Sequence, residues 1–477
     1  MKKGFLTTSK AKQQLNKTEI EKKDADSLVA DTSASRNLNS GVSPNTPQWT
    51  TFSHGLVAEA GLPKGYERSK RIWASEFPDL NDPQAFCYVT LPSVKSGAVL
   101  PDNLGNRTEC CVSVHVKNLI EKTPGFPSPP LQPTGGKAYE IRDAGAKGLG
   151  VFATRLIRAG DIIMDDRPLI FSPSGSTAFL RDQEFIRTLE AYTLGQSKQI
   201  VLYEMDQVIK GAFDRMPVEH QKAFMELYNS HKEDGSGEYI GRSRTNGAGI
   251  DGKKLRDQGT TGPVGAYSVV CYDYSRMNHC CCPNSVFHWH TDTFTIRVCA
   301  IRDIPAGEEI SINYCSVLDS AAERAQSLAP YGILSCTCSP SCSDPALAKI
   351  SDERRARFKK PIVLHPPAGR SGPGATWVQP ALTRLRELEE ENLQAADEYR
   401  RTLYQLVNIY CFLHDVDKVL LYAHKLDAVC RAMDRSKEVD KNLLTRQGVK
   451  HTAGWQTGML NRMQMPGMPM PLMMAFA

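Results

Sequence analysis

Two cysteine-rich stretches, one glycine pair and one strand-end tyrosine carry most of the chemistry legible in this 477-residue chain. The first stretch reads RMNHCCCPN from Arg276 to Asn284, with three consecutive thiols at Cys280, Cys281 and Cys282. The second reads CTCSPSC, Cys336 to Cys342. Thiolates at Cys336, Cys338 and Cys342 can wrap one tetrahedral cation, but a closed zinc site needs a fourth ligand. The Cys280–Cys282 run is the obvious donor; the bland alternative is a set of buried thiols near a turn. His288 and His290 alternate about Trp289 and so face one side of a strand. A solvated strand face explains them at least as well as a metal does. Gly148 and Gly150 bracket Leu149, where a backbone without Cβ atoms permits close approach to a ligand, although a tight turn would use the same residues. The further glycines and the lysine-serine of dinucleotide and P-loop fingerprints are missing. Tyr314 closes the apolar run ISINY, and most such tyrosines pack a ring and hydrogen-bond a hydroxyl. No Ser-His-Asp or metal-hydrolase constellation is present.

The elements that must position these residues follow from periodicity. Residues 1–48 are polar and poor in aromatics, which predicts a disordered basic tail. Residues 49–122 regain aromatics and end in CCVSVHV, which alternates like a strand; this block shows no chemistry. The stretch 123–136, TPGFPSPPLQPTGG, reads as a linker. Short β-prone runs follow at 139–142, 149–153, 162–164 and 169–171, separated by Gly, Asp and Pro turns. A helical insert over about 172–265 interrupts them, with Pro217 suiting the first turn of a helix and 234–252 a Gly-rich loop. Strands resume at 286–289, 293–300 and 308–314. Residues 346–379 read as a linker. Helices over 380–450 carry one apolar stripe through Tyr399, Leu403, Leu406, Ile409, Tyr410 and Leu413. A second runs through Leu420, Leu421, His424 and Leu426, suggesting a hairpin or tetratricopeptide-like pair. Residues 451–477 form a Met/Pro-rich tail.

Composition limits the function classes. Apolar residues make up 41% of the chain and charged residues 23%, ordinary for a globular protein. The net charge of +5 is mild, and seven lysines against two glutamates in the first 23 residues account for much of it. The folded part therefore makes no case for direct nucleic-acid binding. No apolar run reaches the length of a membrane helix, and the N-terminus lacks the continuous apolar segment of a secretory signal. Fourteen cysteines in such a chain point to a reducing compartment, nucleus or cytoplasm, and to metal ligation rather than disulfides.

Taken in order, GLGVFAT, NHCCCPN, DIPAGEEISINY and CTCSPSC resemble the SET-domain family of protein lysine methyltransferases. The helical insert and helical C-terminal region are similar to its SMYD-like and fungal branch, without that branch's MYND zinc finger. The resemblance covers about residues 137–345. It implies an α+β fold of short sheets with a pseudoknot, residues 137–320, a post-SET zinc segment at 321–345 and a helical C-terminal region. It implies S-adenosylmethionine bound by Lys147, Gly148, Leu149, Gly150, Asn278, His279 and Tyr314, with Tyr314 also catalytic. It implies a structural zinc held by Cys281, Cys336, Cys338 and Cys342, with Cys280 in the family's serine position. A second tyrosine of the lysine channel would be Tyr267, Tyr272 or Tyr274. The implied reaction transfers a methyl group to a lysine of a histone or non-histone protein, and the C-terminal helices could dock protein partners. The alternative is an inactive, zinc-stapled interaction scaffold on the same fold.

Overall fold

A computed structural model of the chain describes residues 62–63, 65–66, 74–75, 79–83, 85–93, 106–173, 183–232, 234–250, 267–362 and 375–463. The expected tail at 1–48, and residues 464–477 of the Met/Pro-rich tail, lie outside these residues. In chain order the elements begin with β1 (Phe86–Leu91), β2 (Thr108–Ser113) and α1 (Val114–Glu121). Then come β3 (Tyr139–Asp143), β4 (Leu149–Ala153), β5 (Ile162–Asp166) and β6 (Ile170–Pro173). The insert holds α2 (Gln183–Glu190), α3 (Leu194–Phe213), α4 (Val218–Met225) and α5 (Glu238–Asn246). It returns through β7 (Ala248–Ile250) and β8 (Tyr267–Val270) to β9 (Ser285–His290), β10 (Thr295–Ala300) and β11 (Glu309–Ile310). Helices α6 (Ala321–Leu328), α7 (Pro340–Ser343), α8 (Pro345–Phe358), α9 (Ala375–Glu390), α10 (Asp397–Leu413), α11 (Val416–Ala432), α12 (Arg446–Val449) and α13 (Ala453–Met463) complete it.

The strands form three small sheets ordered β1-β2-β6-β8-β7, β5-β10-β9 and β11-β4-β3. The predicted strands are present with ends shifted by one or two residues, except that 308–314 keeps ladder pairing only at Glu309–Ile310. The described part of the block 49–122, with β1, β2 and α1, is not separate from the sheets that follow. Its β2 pairs in parallel with β6, Glu109 opposite Ile170 and Cys110 opposite Phe171, so the sheet spans the Pro-rich stretch expected to divide two domains. All six β2 residues are buried, as a strand covered on both faces must be. CCVSVHV is half strand and half helix: the Ser113 side chain accepts from the Val116 N–H at 3.2 Å and caps α1.

The Gly-rich stretch 234–252, expected as a loop, holds α5 and β7 instead. Asp206 on α3 accepts from the Tyr239 and Ile240 N–H groups at 2.9 and 2.8 Å, satisfying the first turn of α5. A Cβ on Gly237 would lie 2.1 Å from the Asp206 carboxyl carbon, and one on Gly241 2.6 Å from Asn229 Oδ1. These glycines permit close packing rather than a loop. The expected linker 346–379 contains α8, capped by Asp344 and opened by Pro345. The expected tail from 451 begins with α13, whose Trp455 ring stacks on His414 at 4.4 Å between centroids. On α11 the buried stripe is Val419, Ala423, Leu426 and Cys430, whereas Leu421 is 53% exposed.

One core joins the three sheets through residues such as Val151, Phe171, Tyr274, Trp289 and Ile312. A second packs the insert helices on Cys111, Ile170 and Val270. The third places Cys299, Ile301, Val317 and Leu318 against α9–α11, so the C-terminal helices share a core with the sheet region.

Candidate functional site

Two segments meet at the centre of the site. His279 and Ile312 form a parallel bridge; the Cys280 N–H donates to Ile312 O at 2.8 Å and the Ile312 N–H to Asn278 O at 3.2 Å. Asn284, fully buried, staples them further on. Its Nδ2 donates to Glu308 Oε1 and Glu309 O at 2.9 and 2.8 Å, and its Oδ1 accepts the Ser311 N–H at 2.9 Å. A buried amide this fully satisfied stabilises one arrangement of the two segments.

The GLG loop is tied in from one side. Asn278 Nδ2 donates to Leu149 O at 3.1 Å and to Glu309 Oε1 at 2.8 Å, while Lys147 Nζ reaches Glu309 Oε2 at 2.6 Å. Gly148 adopts φ +77°, a region L side chains rarely enter, with nothing within 4 Å of a would-be Cβ. Gly150 has a different reason to be glycine: its Cβ would meet Glu309 Oε1 at 2.9 Å, Ala144 Cβ at 3.0 Å and Asn278 Nδ2 at 3.1 Å.

The crossing has a cavity on each side. The larger, about 510 Å³, is lined by Lys147, His279, Glu309 and Ser311, by Cys280 and Cys282, and by Ile350 and Arg354 of α8. Gly148 and Leu149 stand exposed beside Lys147, whereas Gly150 is buried. The smaller, about 80 Å³, is walled by Tyr274, Met277, Phe287, Ile312, Tyr314 and Tyr331. Tyr314 donates its hydroxyl to Met277 O at 2.6 Å and its N–H to His279 Nδ1 at 3.0 Å, and its ring lies 4.8 Å from that of Tyr331. Burial pushes the Tyr314 and Tyr274 hydroxyls well above the usual tyrosine range, so both stay protonated. Of the three tyrosine candidates for this wall, Tyr274 is the one present. Tyr267 is buried in the sheet, its hydroxyl accepting from the Ser113 N–H at 3.3 Å, and Tyr272 is 39% exposed.

The thiols gather beneath the crossing. Cys281 Sγ lies 3.8 Å from Cys336 Sγ, Cys336 Sγ 3.2 Å from Cys338 Sγ, and Cys338 Sγ 3.7 Å from Cys342 Sγ. A tetrahedron with Zn–S bonds of about 2.3 Å has sulfur–sulfur edges of about 3.8 Å; the Cys281–Cys336 and Cys338–Cys342 spacings match that edge and the Cys336–Cys338 spacing is shorter. His279, Cys281, Cys336 and Cys338 also lie within 4.8 Å of one another and could hold a metal. His279 Nδ1, however, accepts the Tyr314 N–H, which leaves the neutral ring's proton on Nε2, 3.2 Å from Cys281 Sγ. The imidazole is therefore placed to donate to that sulfur, and Cys342, 3.7 Å from Cys338 Sγ, stands beside the group as a further thiol. Arg324, 2% exposed, sets its positive charge beside Cys281 and Cys342. His288 and His290 are not part of this group; His290 Nδ1 lies 3.3 Å from Arg297 Nη1.

Sequence reasoning missed Asn284, Glu309 and Tyr331. Asn284 stood inside the quoted motif and could have been found there. Glu309 stood inside the quoted DIPAGEEISINY, where nothing marks its role, and Tyr331 carries no local signal.

Comparisons with known proteins fit this geometry. Residues 148–315 match the family model of the SET domain. The chain is 29% identical over 229 residues to histone-lysine N-methyltransferase set5 of Schizosaccharomyces pombe, covering 48% of this chain and 58% of that protein. It is 34% identical over 91 residues to N-lysine methyltransferase SMYD2-B of Xenopus laevis, covering 18% of this chain and 21% of that one. The match thus spans little more than half of the first relative and a fifth of the second. A crystal structure of the SET domain of LSMT bound to lysine and AdoHcy is 13% identical, covering 74% of this chain and 96% of that one, at a TM-score of 0.22 too low to carry weight. Motifs, crossing segments and family match agree on one assignment: residues 148–315 of this chain form a SET domain.

Proposed function

We propose that the protein transfers a methyl group from S-adenosylmethionine to a lysine side chain of another protein, histone or non-histone. The observation that carries this reading is the pair of cavities meeting at one crossing: a cleft of cofactor size on one side and, on the other, a narrow aromatic cavity with Tyr314 in its wall. The named relatives, a histone-lysine and an N-lysine methyltransferase, support the same class.

The cleft suits the cofactor in size, since small-molecule sites run from about 300 to 1,000 Å³. Lys147 and Arg354 offer charge for a carboxylate, and Glu309 for an ammonium. Ile350 offers an apolar wall for a base. Bound there, S-adenosylmethionine would supply an electrophilic methyl on a sulfonium. The chain's own residues do the rest. A lysine amine has a pKa of about 10.4 in water, and the aromatic wall of Tyr274, Phe287, Tyr314 and Tyr331 disfavours its charged form. Because the Tyr314 hydroxyl spends its proton on Met277 O, its lone pairs are left to accept an N–H of the amine and turn the nitrogen toward the cleft. Alignment of two held reactants supplies much of the rate. The four-cysteine cluster would hold a structural zinc that ties Cys336–Cys342 to the crossing. A reducing compartment, nucleus or cytoplasm, belongs to the same reading, since all fourteen cysteines are free thiols. Among the described residues no helix is long and apolar enough to cross a membrane.

Calorimetric titration of the full chain with S-adenosylmethionine, alongside metal analysis, tests the reading. One equivalent of cofactor and one of zinc are expected. A zinc-loaded, folded protein that binds no S-adenosylmethionine would refute the enzymatic assignment.

A further inference from the structure

Three consecutive cysteines opened the chemistry of this sequence, and the site just described uses one of them. Seven of the fourteen cysteines are buried in the cores, Cys87, Cys110, Cys111, Cys271, Cys299, Cys411 and Cys430, and Cys315 is buried within hydrogen-bonding reach of Cys281. Four more make up the sulfur cluster. Cys280 and Cys282 remain, both partly exposed and both lining the cleft of about 510 Å³. They face each other across the bend at Cys281: the Cys282 N–H donates to Cys280 Sγ at 3.4 Å, and the two side chains are within hydrogen-bonding reach, with Cys338 of the cluster in reach of Cys280 on its other side. On the far side Arg355 Nη2 lies 3.8 Å from Cys282 Sγ while its Nη1 donates to Val317 O, which fixes the second thiol against α8.

We propose that Cys280 and Cys282 form a second thiol site, converted by a hydroperoxide to a disulfide that closes the cleft to an adenosyl ligand. The blocking effect rests on the cofactor reading above; the disulfide itself does not. One sulfur attacks the peroxide oxygen, the O–O bond breaks, and a sulfenic acid forms with release of an alcohol, or of water from hydrogen peroxide. The second sulfur then attacks the sulfenic sulfur, the S–O bond breaks, and the oxygen leaves as water with the remaining proton. Two thiols lose two electrons and the peroxide gains them. Drawing the sulfurs to about 2.05 Å removes the Cys282 N–H contact and changes the cleft wall that both thiols line. The cluster sulfurs would be held by the zinc of the proposed function and would take no part.

The test treats the zinc-loaded full chain with hydrogen peroxide, then maps disulfides by mass spectrometry and measures zinc and S-adenosylmethionine binding. The expected result is a Cys280–Cys282 disulfide, retained zinc, and binding reduced at least about tenfold and restored by a thiol reductant. Cys280→Ser and Cys282→Ser are compared as treated-to-untreated ratios within each protein, so a change in their untreated binding cancels; both ratios should stay near one. A disulfide from Cys280 to Cys338, zinc release ahead of any disulfide, or an unchanged treated-to-untreated ratio despite the mapped disulfide would overturn the proposal. If the untreated chain binds no cofactor, the cofactor reading fails by itself, and the disulfide map with zinc retention still decides the thiol site.

Discussion

Glu309 is the residue on which the motifs converge. One oxygen takes the Asn278 amide, the other takes Lys147, and the first also fills the space a Cβ on Gly150 would need. Three stretches of chain far apart in sequence thus depend on one carboxylate. Gly150→Ala would force Glu309 and Asn278 to move by several tenths of an ångström. Overpacking of this kind costs about 1–3 kcal/mol, so we expect a lower midpoint in urea denaturation together with weaker cofactor binding. An unchanged midpoint and affinity would show that the contact is soft. The cysteines, the Asn-His pair and Tyr314 could be read from sequence because their side-chain types imply chemistry wherever they stand. Glu309 and Tyr331 could not be read: glutamates and tyrosines are common, and only the tertiary fold brings these two to the site.

Among elements, the turn after β8 is the one that presents Tyr274 to the aromatic cavity. Asp166, at the end of β5, holds it: one carboxylate oxygen accepts the Asp273 and Tyr274 N–H groups at 3.0 and 2.9 Å. Burial, ahead of the nearby Asp273 charge, pushes Asp166 up to about 7, while those N–H bonds and Lys137 oppose the rise. Its folded value lies above the unfolded value of about 3.9. Stability from its protonated form is therefore fully present below about pH 4 and is lost as pH rises through 7. Asp166→Asn keeps an acceptor oxygen and cannot ionise. Between pH 5 and 8 its melting temperature should fall less than that of the parent, and parallel curves would exclude Asp166 as the titrating group. The insert gives a second case. Asp206→Ala strips the acceptor from two N–H groups of α5 and should cost about 1–2 kcal/mol in chemical denaturation, with no change expected if water replaces the carboxylate freely. The sequence misled here because glycine marks both loops and close contacts. Gly237 and Gly241 are of the second kind, and their partners Asp206 and Asn229 are distant in the chain or unremarkable locally. Where the cap is local, at Asp344-Pro345, the signal stands at the end of the expected zinc segment, and the helix it opens runs into the expected linker.

At the scale of the whole molecule, the C-terminal helices are part of the site rather than an appendage. Leu347, Ile350 and Arg354 of α8, and Glu390 to Asn392 at the end of α9, line the same cleft as Lys147 and His279. Ser351 Oγ reaches Glu391 at 2.5 Å, and Arg354 and Arg355 reach it at 3.3 and 3.7 Å. The shared core with Cys299, Ile301, Val317 and Leu318 binds the two halves. Ending the chain after residue 345 would uncover that apolar surface. We expect a truncated protein that binds hydrophobic dyes, unfolds without a sharp transition and does not bind S-adenosylmethionine. A cooperatively folded fragment with full cofactor affinity would show that the helices serve another purpose. Nothing in the periodicity of the C-terminal region pointed to the cleft, because it is the packing of α8 and α9 against the sheets that brings them there.

The proposed function requires that a lysine amine in the aromatic cavity, beside Tyr314, meets a methyl donor in the cleft. Its most direct test is transfer of a labelled methyl from S-adenosylmethionine to protein lysines in a cell lysate, run with the full chain and with Tyr314→Phe. The account predicts labelled lysine in acid hydrolysates, and a loss of about 10²-fold in the variant with cofactor affinity unchanged. No labelled lysine from a protein that binds both zinc and S-adenosylmethionine, or equal transfer by Tyr314→Phe, would contradict it.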